Sequence, residues 1–353
     1  MFLKFFIFAT SLMIVSSNIL SFDNDLSIIE RFKNWVKKFE IKANDNNHLV
    51  HIFNNWLNND KFIDYTNKQN LSYVLGHNIY SGLNSSEFSE LMGFNANRKF
   101  LNYNKENMFL EYKIHLPIHK NSLPQSIDWR IKNAVTPVKD QGQCGSCWSF
   151  SSTGALEGAY AIKYGNIESF SEQQLVDCDF IKAGTGGRNF GCNGGQMDST
   201  LQWIGKNGGL CNEVSYPYLS GNTKTEGVCQ TTCKKNVNST VKSITYVKVN
   251  SDYDMMSALL LQPVSVAIEA DQMAFQLYKN GTFTGTCGND LDHGVLLVGY
   301  TEDSYILKNS WSSSWGDNGY IYLAKGNDSS TGKPYNNGSG QCGVLMQGVY
   351  PNL

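Results

Sequence analysis

Apolar positions in the first third of the chain fall at helical spacing. Ile28, Ile29, Phe32, Trp35, Val36 and Phe39 recur three and four residues apart, and Phe53, Trp56, Leu57, Phe62 and Ile63 repeat the pattern further on. Such spacing puts each set on one face, so two amphipathic helices are expected. Residues 148–164 predict a third helix stopped by Gly165, and Ser171-Glu-Gln-Gln174 has the form of a capping box opening a short fourth. Beyond residue 235 the pattern changes. Runs at 245–249, 264–268, 305–308 and 320–324 are rich in β-branched and aromatic residues and of strand length. The chain thus reads as a helical segment, a mostly helical and loop-rich middle, and a strand-rich final third, without internal repeats or low-complexity linkers.

With 353 residues, 41% of them hydrophobic, the chain can bury a substantial core in one large or two small domains. Residues 1–17 read as a secretory signal: Lys4, an apolar run over 5–15, then Val15 and Ser17 ahead of a cut. That run is too short to favour a membrane span, and no later segment approaches the roughly 20 apolar residues a span needs. Secretory entry permits disulfides, in keeping with nine cysteines. All nine lie in 144–342, whereas 18–122 has none and is rich in Asn, Lys and aromatics; the shift marks a boundary. From residue 123 onward 16 basic residues face 20 acidic ones, which argues against a nucleic-acid or anionic-membrane partner. Asn70, Asn84, Asn238, Asn280, Asn327 and Asn337 head Asn-X-Ser/Thr triplets and are candidate glycan acceptors.

The run Gln141-Gly-Gln-Cys144-Gly-Ser-Cys147-Trp148-Ser-Phe150 offers a thiol nucleophile at the start of a helix. Far downstream come Leu291-Asp292-His293-Gly294-Val295 and then Lys308-Asn309-Ser310-Trp311. A thiol attacks as the thiolate, and an imidazole plus a helix N-terminus lower its pKa by several units. An Asn carboxamide can hold the imidazole in place. Alone, Cys144-X-X-Cys147 would more often be a redox or zinc motif, and a lone histidine is usually structural. Together with Trp148, His293 and Asn309, the run resembles the papain family of cysteine peptidases, and the resemblance covers nearly the whole chain.

That resemblance implies an α+β fold of two lobes, a helical lobe over about 123–235 and an antiparallel β-barrel lobe over about 236–353. A cleft lies between them and a helical prodomain precedes them. It implies acyl transfer through a thioester, with Cys147 as nucleophile, His293 as its proton partner and no cofactor or metal. Asn309 would orient His293, and the Gln141 amide would join the Cys147 backbone N–H at the oxyanion. Trp311 would shield the Asn309–His293 contact, and Asp292 would tune the imidazole. Gly194 and Gly195 would let an extended peptide approach the backbone of the cleft. Gln196, Met197, Ala267, Leu291, Gly294 and Gln347 would line the pocket for the second residue upstream of the cut. With no acid on its floor, that pocket should prefer Leu, Val or Phe and accept Arg poorly. The resemblance also implies disulfides Cys144 to Cys192, Cys287 to Cys342, and Cys178 to Cys229 or Cys233, with Cys211 taking the partner left over. A zinc site at Cys229 and Cys233 is the lesser alternative. The Gly-rich stretch 183–189 fails the spacing of nucleotide loops. It also lacks the histidines of a carboxydipeptidase's occluding loop, which favours an endopeptidase.

Upstream, Trp56, Asn59, Ile63 and Asn67, then Gly76, Asn78 and Tyr80, resemble the inhibitory propeptide of the cathepsin L type, assigned to 18–122. The sequence departs from it at His48 and Ile52, where Glu and Arg are expected, and at Gly82, where an acid is expected; the usual acid trigger is thereby put in question. The junction is expected near Leu123, with Pro124 limiting trimming. The implied partners are peptide and protein substrates, the chain's own propeptide and cystatin-like inhibitors. A monomer is expected, extracellular or in a lysosome or vacuole. Two alternatives stand beside this reading. A silent peptide-binding homologue is disfavoured by the intact Gln141, Cys147, His293 and Asn309 set, and a peptide ligase would use the same thioester with an incoming amine.

Overall fold

The computed structural model describes residues 22–94, 110–119 and 122–353; the signal-sequence reading of 1–17 lies outside them. Helices α1 (Phe22–Lys38) and α2 (Asn46–Asn67) are the two amphipathic helices of the first third. They enclose Phe32, Trp35, Ile52 and Trp56 in an apolar core of their own. Gly82 packs into this core, where an added Cβ would sit 2.9 Å from both Ile52 and Trp35. The two positions expected to carry Arg and an acid are thus an apolar pair in contact. Charge is placed elsewhere: Arg31 grips Asp60 through two bonds of 2.6 and 2.9 Å, and His77, stacked on Trp56, reaches the same carboxylate at 3.0 Å.

Strand β1 (Tyr73–Leu75), helix α3 (Ser85–Ser89) and strands β2 (Glu111–Ile114) and β3 (Ile127–Asp128) lead into the middle of the chain. There α4 (Cys147–Tyr164) is buried from Cys147 through Ala161 and ends at Gly165, whose φ of 79° supplies the left-handed stop. It is followed by α5 (Glu172–Cys178), α6 (Met197–Asn207), β4 (Leu210–Cys211), α7 (Ser220–Thr223) and β5 (Lys235–Asn236). The Ser171 hydroxyl caps α5 by accepting from Gln174 N at 3.0 Å, but the box is one-sided. Gln174 Oε1 instead accepts from Cys211 N at 2.8 Å, a tertiary bond that satisfies an otherwise buried amide. The disulfides pair Cys144 with Cys192, Cys178 with Cys229, Cys211 with Cys233 and Cys287 with Cys342.

The final third carries β6 (Ser243–Tyr246), α8 (Asp252–Leu259), β7 (Val264–Ile268), α9 (Met273–Gln276), β8 (Tyr278–Phe283), β9 (His293–Tyr300), β10 (Ser304–Lys308), β11 (Tyr320–Ala324) and β12 (Gly348–Asn352). The strand expected at 245–249 starts two residues earlier and ends at Tyr246; Val247 N still donates to Gly348 O at 2.9 Å, and the chain turns at Asn250, at φ 57°. Ten strands share one sheet in the order β1-β8-β11-β10-β9-β7-β12-β6-β2, with β3 on β9. The pairing along this path is antiparallel except for β8·β11 and β2·β6. Both end strands come from the N-terminal third. Two hydroxyls fasten α4 across this sheet: Ser151 donates to Val295 O and Ser265 to Ser151 O, each at 2.7 Å. That seam sets the start of α4 against the start of β9.

Candidate active site

Cys147 is the first residue of α4, buried, and the free cysteine among those described. Its Sγ accepts from the backbone N–H of Gly294 at 3.2 Å, so the two chain segments far apart in sequence meet at this atom. The loop before it is held from two sides. Gly145 N donates to Cys192 O at 2.9 Å beside the Cys144 disulfide, and Tyr218 donates to Gln141 O at 2.9 Å while meeting the Ser146 hydroxyl at 2.7 Å.

His293 opens β9 and Asn309 directly follows β10. Asn309 Oδ1 accepts from Ser310 N at 2.8 Å, which identifies the oxygen end of the carboxamide. The His293 Nε2 facing that oxygen at 2.8 Å must then carry the proton. This leaves Nδ1 with its lone pair free, and it has no hydrogen-bond partner among the described residues. Trp311, fully buried, stacks on the imidazole with ring centres 4.6 Å apart. Ser310 also holds Gln141: its Oγ donates to Gln141 Oε1 at 2.6 Å and its carbonyl accepts from Gln141 N at 2.8 Å. Neither Ser310 nor Tyr218 stood out in the sequence, since nothing marks a serine or tyrosine as bracing a neighbour.

The cleft is filled by the chain itself. Gln141 Nε2 donates to Leu91 O at 3.1 Å, Gly195 N to Gly93 O at 2.9 Å and Phe94 N to Asp292 O at 2.8 Å. Phe94 is buried in one apolar cluster with Cys147, Met197 and Ala267, against which Leu291 packs. Of the residues expected to contact substrate, Gly195, Met197, Ala267, Leu291 and Asp292 therefore gather around this segment. Gly194 instead turns the chain at φ 105°, and the Gln347 carbonyl accepts from Ala267 N at 3.4 Å. On the other side of His293, Tyr80 and Phe88 pack edge-on against Trp311 at 5.6 and 5.2 Å. Residues 91–94 escaped the sequence reading because most of their cleft bonds are main-chain bonds; the apolar Met92-Gly93-Phe94 run in a polar stretch was the available signal.

The family profile described as papain family cysteine protease matches residues 123–352, and that of the cathepsin propeptide inhibitor domain (I29) matches 32–88. The chain belongs to the papain family of cysteine proteases. It is a cysteine-type peptidase with an inhibitory propeptide. Cysteine protease XCP2 of Arabidopsis thaliana is 39% identical over 328 residues, covering 92% of this chain and 86% of that protein. The recombinant stem bromelain precursor superposes with a TM-score of 0.78 at 31% identity, over 93% of this chain and 99% of its own. The Carica candamarcensis cysteine protease CMS1MS2, solved with E-64, covers 65% of this chain and 98% of its own at 39% identity and TM-score 0.58.

Within this papain-family cleft the covering segment, residues 91–94, shapes the electrostatics. Burial pushes the Cys147 thiol up to about 12, against the N–H groups of Gly294, Gly93 and Trp148, which favour the thiolate. Burial also pushes the His293 imidazole down to about 4, despite its bond to Asn309. Both partners are therefore neutral in the covered state. Burial lifts Asp292 to about 7; its Oδ1 accepts from Ala270 N at 2.8 Å, and Asp271 and Glu269 add to the rise. Beneath Asn309 lies a buried charge network that sequence reading missed: Lys139 reaches Glu157 and Glu172 at 3.0 and 2.7 Å, and Lys308 donates to Thr136 at 2.8 Å.

Proposed function

We propose that the protein is a cysteine endopeptidase of the secretory pathway, acting outside the cell or in a lysosome or vacuole, made as a precursor and matured by cleavage near Leu123. The observation that carries this reading is the meeting of Cys147 Sγ with Gly294 N while His293 Nε2 is held by Asn309, which leaves Nδ1 free to serve the thiol. Once residues 91–94 leave, water reaches the pair and the burial that keeps both groups neutral is relieved. The thiol then passes its proton to His293 Nδ1, and the positive end of α4 favours the thiolate.

Attack on a peptide carbonyl forms the C–S bond and places negative charge on the carbonyl oxygen, near Gln141 Nε2 and the Cys147 backbone N–H. The imidazolium returns its proton to the departing amine as the C–N bond breaks, leaving a thioester. Water, deprotonated by the same imidazole, releases the acid and restores the thiol. Asn309 and Trp311 keep the ring oriented throughout. Gly195 and the Asp292 carbonyl, which hold Gly93 and Phe94 in the precursor, offer the same main-chain bonds to an extended substrate.

Phe94 lodged with Met197, Ala267 and Leu291 supports the preference for Leu, Val or Phe over Arg at the second position upstream of the cut. End-blocked, internally quenched peptides differing at that position test both claims. Cleavage inside such peptides, fastest with Leu or Phe, is expected. No cleavage of blocked peptides would remove the endopeptidase reading, and a preference for Arg would remove the pocket assignment.

A further inference from the structure

The propeptide touches the peptidase in a second place, well away from the cleft. Residues 111–114 form β2, which pairs in parallel with β6 in the register Glu111 to Ser243, Tyr112 to Ile244, Lys113 to Thr245 and Ile114 to Tyr246. His115 N extends the ladder to Tyr246 O at 2.8 Å. Two strands, β12 and β7, lie between β6 and β9, which begins with His293. Leu110 lies over Gly205 of α6, and Tyr112 meets Tyr246 edge-on at 6.2 Å.

At the end of the strand the chain inserts a single ring. His115 is 5% exposed; its Nδ1 lies 3.0 Å from the Tyr350 hydroxyl and its Nε2 3.0 Å from the Ser257 hydroxyl. Ser257 Oγ also accepts from Ile118 N at 3.0 Å, so the socket holds the backbone beyond the ring as well.

We propose that the edge of β6, with the socket between Tyr350 and Ser257, is an exosite for an extended peptide that inserts a neutral histidine. It binds residues 110–119 independently of the cleft, retains them after the junction is cut, and releases them on acidification. Ladder bonds along β6 supply the affinity and the socket supplies the selectivity. Without this occupant β6 would be an open sheet edge, a template for strand addition.

The acid response follows from the surroundings of the ring. The groups facing it are Tyr350 from β12 and Ser257 and Asp254 from α8, and none of them is a carboxylate hydrogen-bonded to it. Burial lowers the His115 pKa, and the attraction of Asp254 does not offset it. The neutral form is therefore the one that docks. Docking is complete above the free imidazole pKa of about 6.5 and weakens as pH falls below it.

The test uses mature enzyme obtained by processing the full chain, with Cys147 capped by an epoxide, and a fluorescent peptide of residues 110–119. Saturable binding at pH 7.5 despite the capped cleft is expected, at least tenfold weaker at pH 5.0. A His115→Phe peptide, which keeps a ring on Tyr350 but cannot titrate, should bind with equal strength at both pH values. Absent binding at pH 7.5, binding abolished by the cap, or an undiminished pH response with His115→Phe would each overturn the proposal. In the full-length Cys147→Ala chain, the Lys113 and His115 amides, which share the β6 side of the strand, should be protected from exchange at pH 7.5 and lose protection at pH 5.0 after correction for intrinsic rates. Equal protection at both values would likewise overturn it.

Discussion

Gly93 and Gly145 lie so close across the cleft that a Cβ on Gly93 would overlap the Gly145 carbonyl. The segment covering the cleft passes the loop before Cys147 at a distance only glycine allows, and in the proposed precursor the block depends on that fit. Gly93→Val should force the segment outward at a cost of about 1–3 kcal/mol, the usual range for overpacking. Labelling of Cys147 in the intact precursor at pH 7 by an epoxide probe should then quicken roughly ten- to a hundredfold. An unchanged rate would show that the fit is not what excludes the probe.

The covered cleft is silenced electrically as well as sterically. With the thiol pushed up to about 12 and the imidazole down to about 4, no thiolate forms in the precursor across the ordinary pH range. Alkylation of the precursor by iodoacetamide should be slow and climb about tenfold per pH unit from pH 5 to 9 without a plateau, whereas the processed enzyme should already react at the acid end. A precursor profile matching that of the processed enzyme would contradict the neutral pair.

In the proposed mechanism Gln141 donates to the oxyanion and Ser310 braces it. Removing an oxyanion donor typically costs about two to three orders of magnitude in rate, so Gln141→Ala should lower kcat by that amount with little change in KM. Ser310→Ala leaves the donor in place but frees its far end, and loses one hydrogen bond of about 1 kcal/mol. A drop of roughly fivefold in kcat is expected, checked by steady-state kinetics on both variants. A Ser310→Ala loss as large as that of Gln141→Ala would assign the serine a more direct part.

Acid should also loosen the propeptide through Asp60. Burial raises this carboxyl, but the bonds from His77 and Arg31 outweigh it, and the net position is below the usual carboxylate value. A depressed carboxyl contributes stability that is present above its unfolded value and lost as pH falls through the folded one, here below about 4. Asp60→Asn should cost the precursor about 1–3 kcal/mol at pH 7, discounted because Arg31 is half exposed. It should also flatten stability between pH 4 and 2. Denaturant unfolding across that range reads both effects, and an unaltered pH slope would show that Asp60 is not the acid-sensitive contact.

What could be read in the sequence, and what could not, follows from where the chemistry resides. Cys147, His293 and Asn309 each sit in a short run whose neighbours are part of the same job, and the structure brings those runs together at Gly294 N and Asn309 Oδ1. The helices of the first third were visible because their apolar stripes must bury. The passage of Leu91, Gly93 and Phe94 through the cleft was not visible, because backbone groups carry most of it and every residue has those. Nor was the pairing of β2 with β6, for a four-residue edge strand has too few positions to show a period. The Ile52–Gly82 contact lies between these cases. The departures were plain in the sequence, but that Ile52 packs against the bare backbone of Gly82 appears only in the fold.

The most direct test of the central claim is the intact mass of acid-processed protein after exposure to a peptide epoxide or vinyl sulfone, beside a Cys147→Ser control. One adduct on the wild type and none on the control is expected, placing an activated thiol at Cys147 in an open cleft. No adduct on protein shown to have lost its propeptide, or equal labelling of the control, would contradict it.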